Sequence, residues 1–195
     1  MTCIKGRRAT RENAPDVLAT ITLAFVSDGP CRFLFPHPHD YLKYFPKFVE
    51  GFGGRAFENS GAYYLDGHVG AALWLPPGVH SDDEGLDELF ATTMSECHRQ
   101  ATNDVLGQMA GYHPKEPHWH LTMIGVDPLE RHKGYGSALL EAGLIPCDEA
   151  RQTAYLESTN PRNIPLYERF GFEVVGTIDL GKCPPIYPMV RKPRS

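Results

Sequence analysis

Residues 118–140 read His-Trp-His-Leu-Thr-Met-Ile-Gly-Val-Asp-Pro-Leu-Glu-Arg-His-Lys-Gly-Tyr-Gly-Ser-Ala-Leu-Leu, and no other stretch constrains the fold as strongly. The apolar run His120 to Val126 has the length and branching of a buried strand. Asp127 and Pro128 stop it, because proline cannot donate to a ladder. Arg131-His132-Lys133-Gly134-Tyr135-Gly136-Ser137 then opens a helix that runs on through Ala138, Leu139 and Leu140. A glycine-rich turn at a helix start gathers unpaired N–H groups and the positive end of the helix dipole. Such a turn suits a phosphate or pyrophosphate, and a side chain at either glycine would hold the backbone away from it.

Three phosphate-binding patterns compete. The Walker loop fails, since no Gly-x-x-x-x-Gly-Lys-Ser/Thr occurs. The dinucleotide fingerprint fails too: only Gly134-x-Gly136 is present, and Leu139 stands at the third glycine. The third pattern, Arg/Gln-x-x-Gly-x-Gly/Ala after a strand, fits Arg131 to Gly136. The bland alternative is a tight strand-to-helix turn with no ligand.

The next segment discriminates. Thr153 to Ser158 reads as a second strand. Thr159-Asn160-Pro161 turns into a helix, capped by Asn160 or Thr159, with Pro161 tolerated in the first turn. Gly171 ends that helix, and Phe172 to Leu180 is expected as a further strand. Three groups of residues now resemble the GNAT superfamily of acetyl-CoA-dependent N-acetyltransferases. They are Val126-Asp127-Pro128, Arg131-x-x-Gly134-x-Gly136 and Asn163-x-x-x-Tyr167-x-x-x-Gly171-Phe172. Residues 110–194 look like its puromycin N-acetyltransferase branch, through Pro114-Lys115-Glu116-Pro117-x-Trp119, Leu156-Glu157-Ser158, Pro161-Arg162-Asn163-x-Pro165-x-Tyr167-Glu168-Arg169-x-Gly171-Phe172 and Arg191-Lys192-Pro193.

The resemblance implies an α/β fold with a central mixed sheet flanked by helices, and acetyl-CoA as co-substrate. It implies that backbone groups of Ile124 and Val126 pair with the pantetheine arm and face the acetyl oxygen. The turn Arg131, His132, Lys133, Gly134, Tyr135, Gly136 and Ser137 would hold the pyrophosphate, with Arg131 and Lys133 adding charge. Asn160 and Asn163 would lie along the cofactor, although helix capping explains Asn160 equally well. Tyr167 matches the family tyrosine that protonates the departing sulfur; in isolation it would read as a core aromatic.

The group that takes the amine proton stays open. His120 sits on the central strand and titrates near ~6.5 when unperturbed. Glu157 projects from the neighbouring strand and is the other candidate, directly or through water. Both also fit a purely structural role, and selection of the neutral amine would need no protein base at all.

Composition sets outer limits. A chain of 195 residues, 42% hydrophobic and 22% charged, fits one globular domain over 1–195. No apolar run approaches the ~20 residues that cross a bilayer, and no signal core follows the N-terminal charges, so a cytoplasmic protein without membrane contact is expected. Net charge of −5 disfavours nucleic acid and suits a cationic amine. Cys3, Cys31, Cys97, Cys147 and Cys183 are scattered, which argues against a disulfide framework. His37 and His39, and His118 and His120, form pairs with no third ligand nearby in sequence, so no metal site is expected.

Elsewhere the pattern predicts a short strand over 3–9, a helix over 12–26 and a loop over 28–40. A helix over 41–51, broken at Pro46, and a hairpin over 62–75 with an Asp66-Gly67 turn follow. A helix over 84–109 is expected to break near 101–103, and 111–117 to be a loop. The acceptor pocket is expected from 28–45, 74–80 and Trp119, with Phe33, Phe35, Tyr41 and Trp74 as its aromatics.

These expectations amount to acetyl transfer to a primary amine of a small molecule, of aminonucleoside or aminoacyl type, by a monomer or homodimer. The alternatives are a non-catalytic acyl-CoA sensor and a protein N-acetyltransferase.

Overall fold

The computed structural model describes residues 4–193. Seven strands form one sheet in the order β1-β2-β3-β4-β5-β7-β6. They are β1 Arg7–Arg8, β2 Ala62–Tyr64, β3 Gly70–Leu75, β4 His118–Val126, β5 Thr153–Ser158, β6 Glu173–Val174 and β7 Tyr187–Arg191. The helices are α1 Ala14–Ala24, α2 Gly29–Leu34, α3 Pro38–Gly53, α4 Asp83–Thr93, α5 Glu96–Tyr112, α6 Tyr135–Glu149 and α7 Ile164–Arg169. Only β4 and β5 pair in parallel, joined by a crossover through α6.

The period of two in β3 builds both layers of core. Ala71, Leu73 and Leu75 face Ile21, Phe45, Phe48 and Val49 of α1 and α3. Ala72 and Trp74 face Leu139, Leu140 and Leu144 of α6. Every residue of β3 is buried, as a central strand covered on both faces requires. No helix among the described residues is long and apolar enough to cross a membrane.

The structure departs from the sequence expectations at several elements. Of the strand expected over 3–9, only Arg7–Arg8 pairs, and residue 3 lies outside the described residues. The expected loop over 28–40 contains α2, because Asp28 caps it by accepting from Cys31 N at 3.1 Å and Pro30 sits in its first turn. Pro46 lies inside α3 without ending it; the carbonyl that loses its donor belongs to Leu42, which is exposed to water. The β2–β3 connection is a turn of 3₁₀ helix, Asp66–His68, with Gly67 at φ 73°. The break after α4 falls at Met94–Ser95, where Ser95 caps α5; residues 101–103 are helical.

The largest difference is at the C-terminus. The strand expected over 172–180 is two residues long, and β7 inserts between it and β5. Pro188 hid β7, since a proline inside a short apolar run argues against a strand. Its carbonyl nevertheless accepts from Val175 N at 2.9 Å. Arg191 of β7 is buried and ties three elements together, donating to Phe170 O at 2.8 Å and to Asp148 Oδ2 of α6 at 2.9 Å.

Gly171 ends α7 as expected. Its N–H donates to Glu168 O at 2.9 Å, and Phe172 N donates to Tyr167 O at 3.1 Å. This double C-cap needs a left-handed residue, and Gly171 has φ 90°. A methyl group there would meet only ordinary contacts with Arg191, so the demand is conformational, not steric crowding. Gly171→Ala should therefore destabilise the fold by about 1–2 kcal/mol, read as a lower urea midpoint at unchanged slope. An unshifted midpoint would mean that the cap does not hold α7.

Candidate active site

The central parallel pair parts halfway along. His118 to Leu121 pair with Thr153 to Leu156, and there the ladder stops. From Thr122 onward β4 pairs only with β3, and Glu157 and Ser158 pair only with β7. A bulge sits at the parting point: β3 opposes Leu73 to Met123 and Trp74 to Leu121, leaving Thr122 as the extra residue. Thr122 Oγ1 donates to Leu73 O at 3.1 Å and holds the bulge. A cavity of about 680 Å³ opens between the diverging strands, with Ile124 and Val126 on one wall and Glu157 on the other. Backbone groups of β4 that would have met β5 face this space, where only a ligand or water can satisfy them.

One end of the cavity is the glycine turn. His132 and Gly134 take positive φ, 65° and 86°, and Gly134 caps α6. The first intrahelical bond runs from Ala138 N to Gly134 O at 3.1 Å, so the N–H groups of Tyr135, Gly136 and Ser137 have no helical acceptor. Arg131 lines the cavity and donates to Ala24 O at 3.2 Å. Lys133 departs from expectation: it does not line the cavity, and its ammonium pairs with Glu130 at 2.7 Å. The sequence reading missed Arg162 and Arg169, which line the same wall. Asn160 does both jobs weighed for it, lining the cavity while its Oδ1 accepts from Arg162 N at 3.0 Å. Asn163 lines the cavity and makes no capping bond with its side chain.

Tyr167 projects from α7 into the middle of the cavity wall and is 5% exposed. Its hydroxyl makes no hydrogen bond among the described residues. Burial, and then the charge of Asp28, push its pKa above the ordinary phenol range. Asp28 is a second wall residue. Thr159 Oγ1 donates to its Oδ2 at 2.6 Å and so latches α2 onto the end of β5. Burial raises the Asp28 carboxyl, and the bonds from Thr159 and Cys31 work against that rise.

Opposite lies a run of histidines around Glu157. His120 Nε2 is 2.9 Å from Glu157 Oε2, and His113 Nε2 is 3.3 Å from Oε1. Behind them His113 Nδ1 meets His118 Nε2 at 3.1 Å, and His118 Nδ1 meets Glu116 O at 2.9 Å. Burial alone would raise the Glu157 carboxyl, but the charges and bonds of His120 and His113 win and lower it to about 2. The expectation that no third ligand type gathers near His120 does not hold. His113 ends α5 and Glu157 is on β5, so only tertiary folding brings them together.

The acceptor end differs from expectation in part. Phe33 lines the cavity as expected, but Tyr41, Phe35, Trp74 and Trp119 are core residues, and Trp119 Nε1 donates to Gln152 at 3.0 Å. The rest of this lining comes from Phe48 and Phe52, with Leu106 and Met109 of α5. Phe48 and Phe52 stack at 5.3 Å between centroids, and Phe52 meets His120 edge-on at 5.9 Å.

Comparison with known proteins fits this geometry. Residues 70–172 match the family model described as acetyltransferase (GNAT) family. An uncharacterized N-acetyltransferase of Schizosaccharomyces pombe is 27% identical over 97% of this chain and 84% of its own length. A Corynebacterium glutamicum structure named histone acetyltransferase HPA2 and related acetyltransferase superposes with a TM-score of 0.71 at 24% identity, over 98% of this chain and 97% of that one. Arylalkylamine N-acetyltransferase 2 of Aedes aegypti superposes with a TM-score of 0.66 at 14% identity, over 98% and 99%. Both structures share the mixed sheet flanked by helices.

The Thr159–Asp28 latch has a pH signature. A carboxyl raised in the folded state favours folding below its unfolded pKa and loses that contribution as pH rises through the folded value. Thr159→Val removes one donor from a buried carboxylate. It should cost about 2 kcal/mol at pH 7 and less near pH 4, where Asp28 is protonated more often. Chemical denaturation at the two pH values checks this; an equal loss at both would show that the latch is not carried by the ionised carboxylate.

Proposed function

The chain belongs to the acetyltransferase (GNAT) family, and on that premise we propose that it moves the acetyl group of acetyl-CoA to a primary amine of a small molecule, by direct transfer in a ternary complex. One observation carries this reading: a single cavity joins the free N–H groups at 135–137, the unpartnered Tyr167 hydroxyl and the Glu157 carboxylate. Acetyl transfer needs an anchor for the pyrophosphate, a donor for the developing oxyanion, a proton for the leaving thiolate and an acceptor for the amine proton.

The turn at 134–137 is the anchor, with Arg131, Arg162 and Arg169 as cations on the same wall. The unpaired edge of β4 at Ile124 and Val126 takes the pantetheine arm and supplies the oxyanion donor. Tyr167 gives its proton to the sulfur. Its raised pKa keeps it protonated at neutral pH, which a proton donor requires. Glu157 faces the amine, and the Glu157–His120 pair takes the proton as one coupled unit. We assign no metal a part in this chemistry.

Phe33, Phe48, Phe52 and Met109 favour a small acceptor with an apolar or aromatic body. The net charge of −5 suits a cationic amine better than nucleic acid, and a cytoplasmic location is part of the reading. The likeness of residues 110–194 to puromycin N-acetyltransferase sequences places aminonucleosides and aminoacyl compounds in the first acceptor panel. A non-catalytic acyl-CoA sensor has no use for Tyr167, whose hydroxyl serves no structural bond.

Release of free CoA from acetyl-CoA across that panel is the direct test. Binding of acetyl-CoA with no release for any amine would support the sensor instead. Gly136→Glu should abolish acetyl-CoA binding in calorimetry on a folded protein, because it puts a like charge where the pyrophosphate approaches. Tyr167→Phe should lower kcat about 10²-fold with acetyl-CoA affinity little changed. A kcat within about twofold of wild type would reduce Tyr167 to packing.

A further inference from the structure

Donor and acceptor accounting around Glu157 leaves one gap open. The carbonyl of Glu116 can only accept, so His118 Nδ1 carries a proton toward it across 2.9 Å. That leaves Nε2 as the His118 nitrogen that faces His113. His113 Nδ1 lies 3.1 Å away, and the two nitrogens share one proton. His113 Nε2 faces Glu157 Oε1, 3.3 Å away. Oε1 is buried and makes no hydrogen bond. A ring nitrogen and a buried carboxylate oxygen face each other with no hydrogen bond between them, and a positive centre, a proton or a cation, would satisfy both.

We propose that this gap binds a zinc-class cation, with His113 Nε2, His120 Nε2 and a Glu157 carboxylate oxygen as its protein ligands. These donor atoms all lie within 4.8 Å of one another. Zinc bonds of ~2.0–2.2 Å in a tetrahedron give ligand-to-ligand edges of roughly 3.3–3.5 Å. Glu157 already brings Oε2 to 2.9 Å from His120 Nε2 and Oε1 to 3.3 Å from His113 Nε2, so its two oxygens span both imidazoles at nearly that separation. A proton in the gap bridges His113 and Oε1 alone; a cation engages all three groups.

The surroundings fit a metal in two further ways. A ligating imidazole needs its second nitrogen held by an outer partner, and His118 holds His113 in this manner. Glu157 lines the cavity while His113 remains partly exposed, so the cation has an entry and a fourth position open to water. Two imidazoles with one carboxylate select zinc and its first-row neighbours over magnesium and calcium, which demand oxygen. The functional consequence rests on the reading proposed above. A cation bound here occupies the lone pairs that receive the amine proton, so it acts as a reversible inhibitor of acetyl transfer.

Direct binding tests the site without relying on turnover. The protein is titrated with Zn²⁺ in calorimetry, and with Co²⁺ while the visible absorption bands of tetrahedral cobalt are recorded. The full chain is used untagged, in a Cys3→Ser, Cys97→Ser background that removes the exposed thiol of Cys97 and the thiol of Cys3. One site per chain is expected, with no heat from Mg²⁺. His113→Ala should weaken Zn²⁺ roughly tenfold or more, and His118→Ala should weaken it measurably through the outer partner. Unchanged acetyl-CoA affinity confirms that each variant is folded.

Three results overturn the site: no Zn²⁺ heat, which would leave a proton in the gap; a Zn²⁺ affinity that survives His113→Ala; or the octahedral spectrum of surface-bound cobalt. Zn²⁺ binding that depends on His113 but leaves acetyl transfer untouched would uphold the site and overturn the assignment of Glu157–His120 as proton acceptor.

Discussion

The parting of β4 from β5 is the constraint on which the rest of the molecule depends. A parallel ladder normally continues until a strand ends. Here it stops at Leu121 while both strands run on. The extra residue at Thr122 bends β4 toward β3, and the Thr122 hydroxyl bond to Leu73 fixes that bend. Splitting a sheet at its centre exposes backbone donors and acceptors that burial would punish. The fold tolerates this because the gap is an open cavity, where water or a ligand can reach those groups, instead of packed core. The same split sets Glu157 across from the free edge of β4, so the wall proposed for the cofactor and the wall proposed to accept the proton arise from one structural event.

Local backbone chemistry then places the remaining groups. The glycine turn leaves three N–H groups free by ending the 3₁₀ turn at Glu130 and restarting the helix at Tyr135. The double C-cap at Gly171 anchors the carbonyl of Tyr167, so the cap that ends α7 also fixes the residue that matters most on it. The Asp28–Thr159 bond joins α2 to the far side of the split and keeps the cavity roofed. Each device is short-range in sequence or rests on one polar contact.

That division explains what could be read from sequence. The strand, glycine turn and helix over 120–140 were legible because periodicity and glycine placement are local signals. So was the Gly171 cap, and with it the register of Tyr167. The helix α2 was not, since Gly29 and Pro30 look like loop formers until Asp28 is seen to cap them. Strand β7 was concealed by Pro188. The aromatics of the cavity were misassigned because burial depends on which face of α3 meets the sheet. Trp74 and Phe48 are equally hydrophobic, yet Trp74 packs under α6 while Phe48 looks into the cavity. His113 carried no signal at all: its meaning comes from two elements distant in sequence.

The two walls hold their titratable groups in opposite states. Tyr167 lies in an apolar setting with the Asp28 carboxyl as the only charge raising its pKa, so losing its proton is doubly opposed. Glu157 is just as buried, but His120 and His113 reverse the effect of burial and keep it ionised. Pushing the pKa values of two groups in one cavity apart is what the proposed reaction requires, a proton ready to give and a site ready to receive. The separation must be structural, because a single environment would shift both acids the same way. The parted strands supply it: α7 carries the donor past one edge of the gap, and β5 carries the acceptor along the other. The histidines on Glu157 do more than tune it. Imidazoles, unlike arginines, carry nitrogens that can bind a metal, so the groups that hold the carboxylate ionised are also the ones the proposed cation would take.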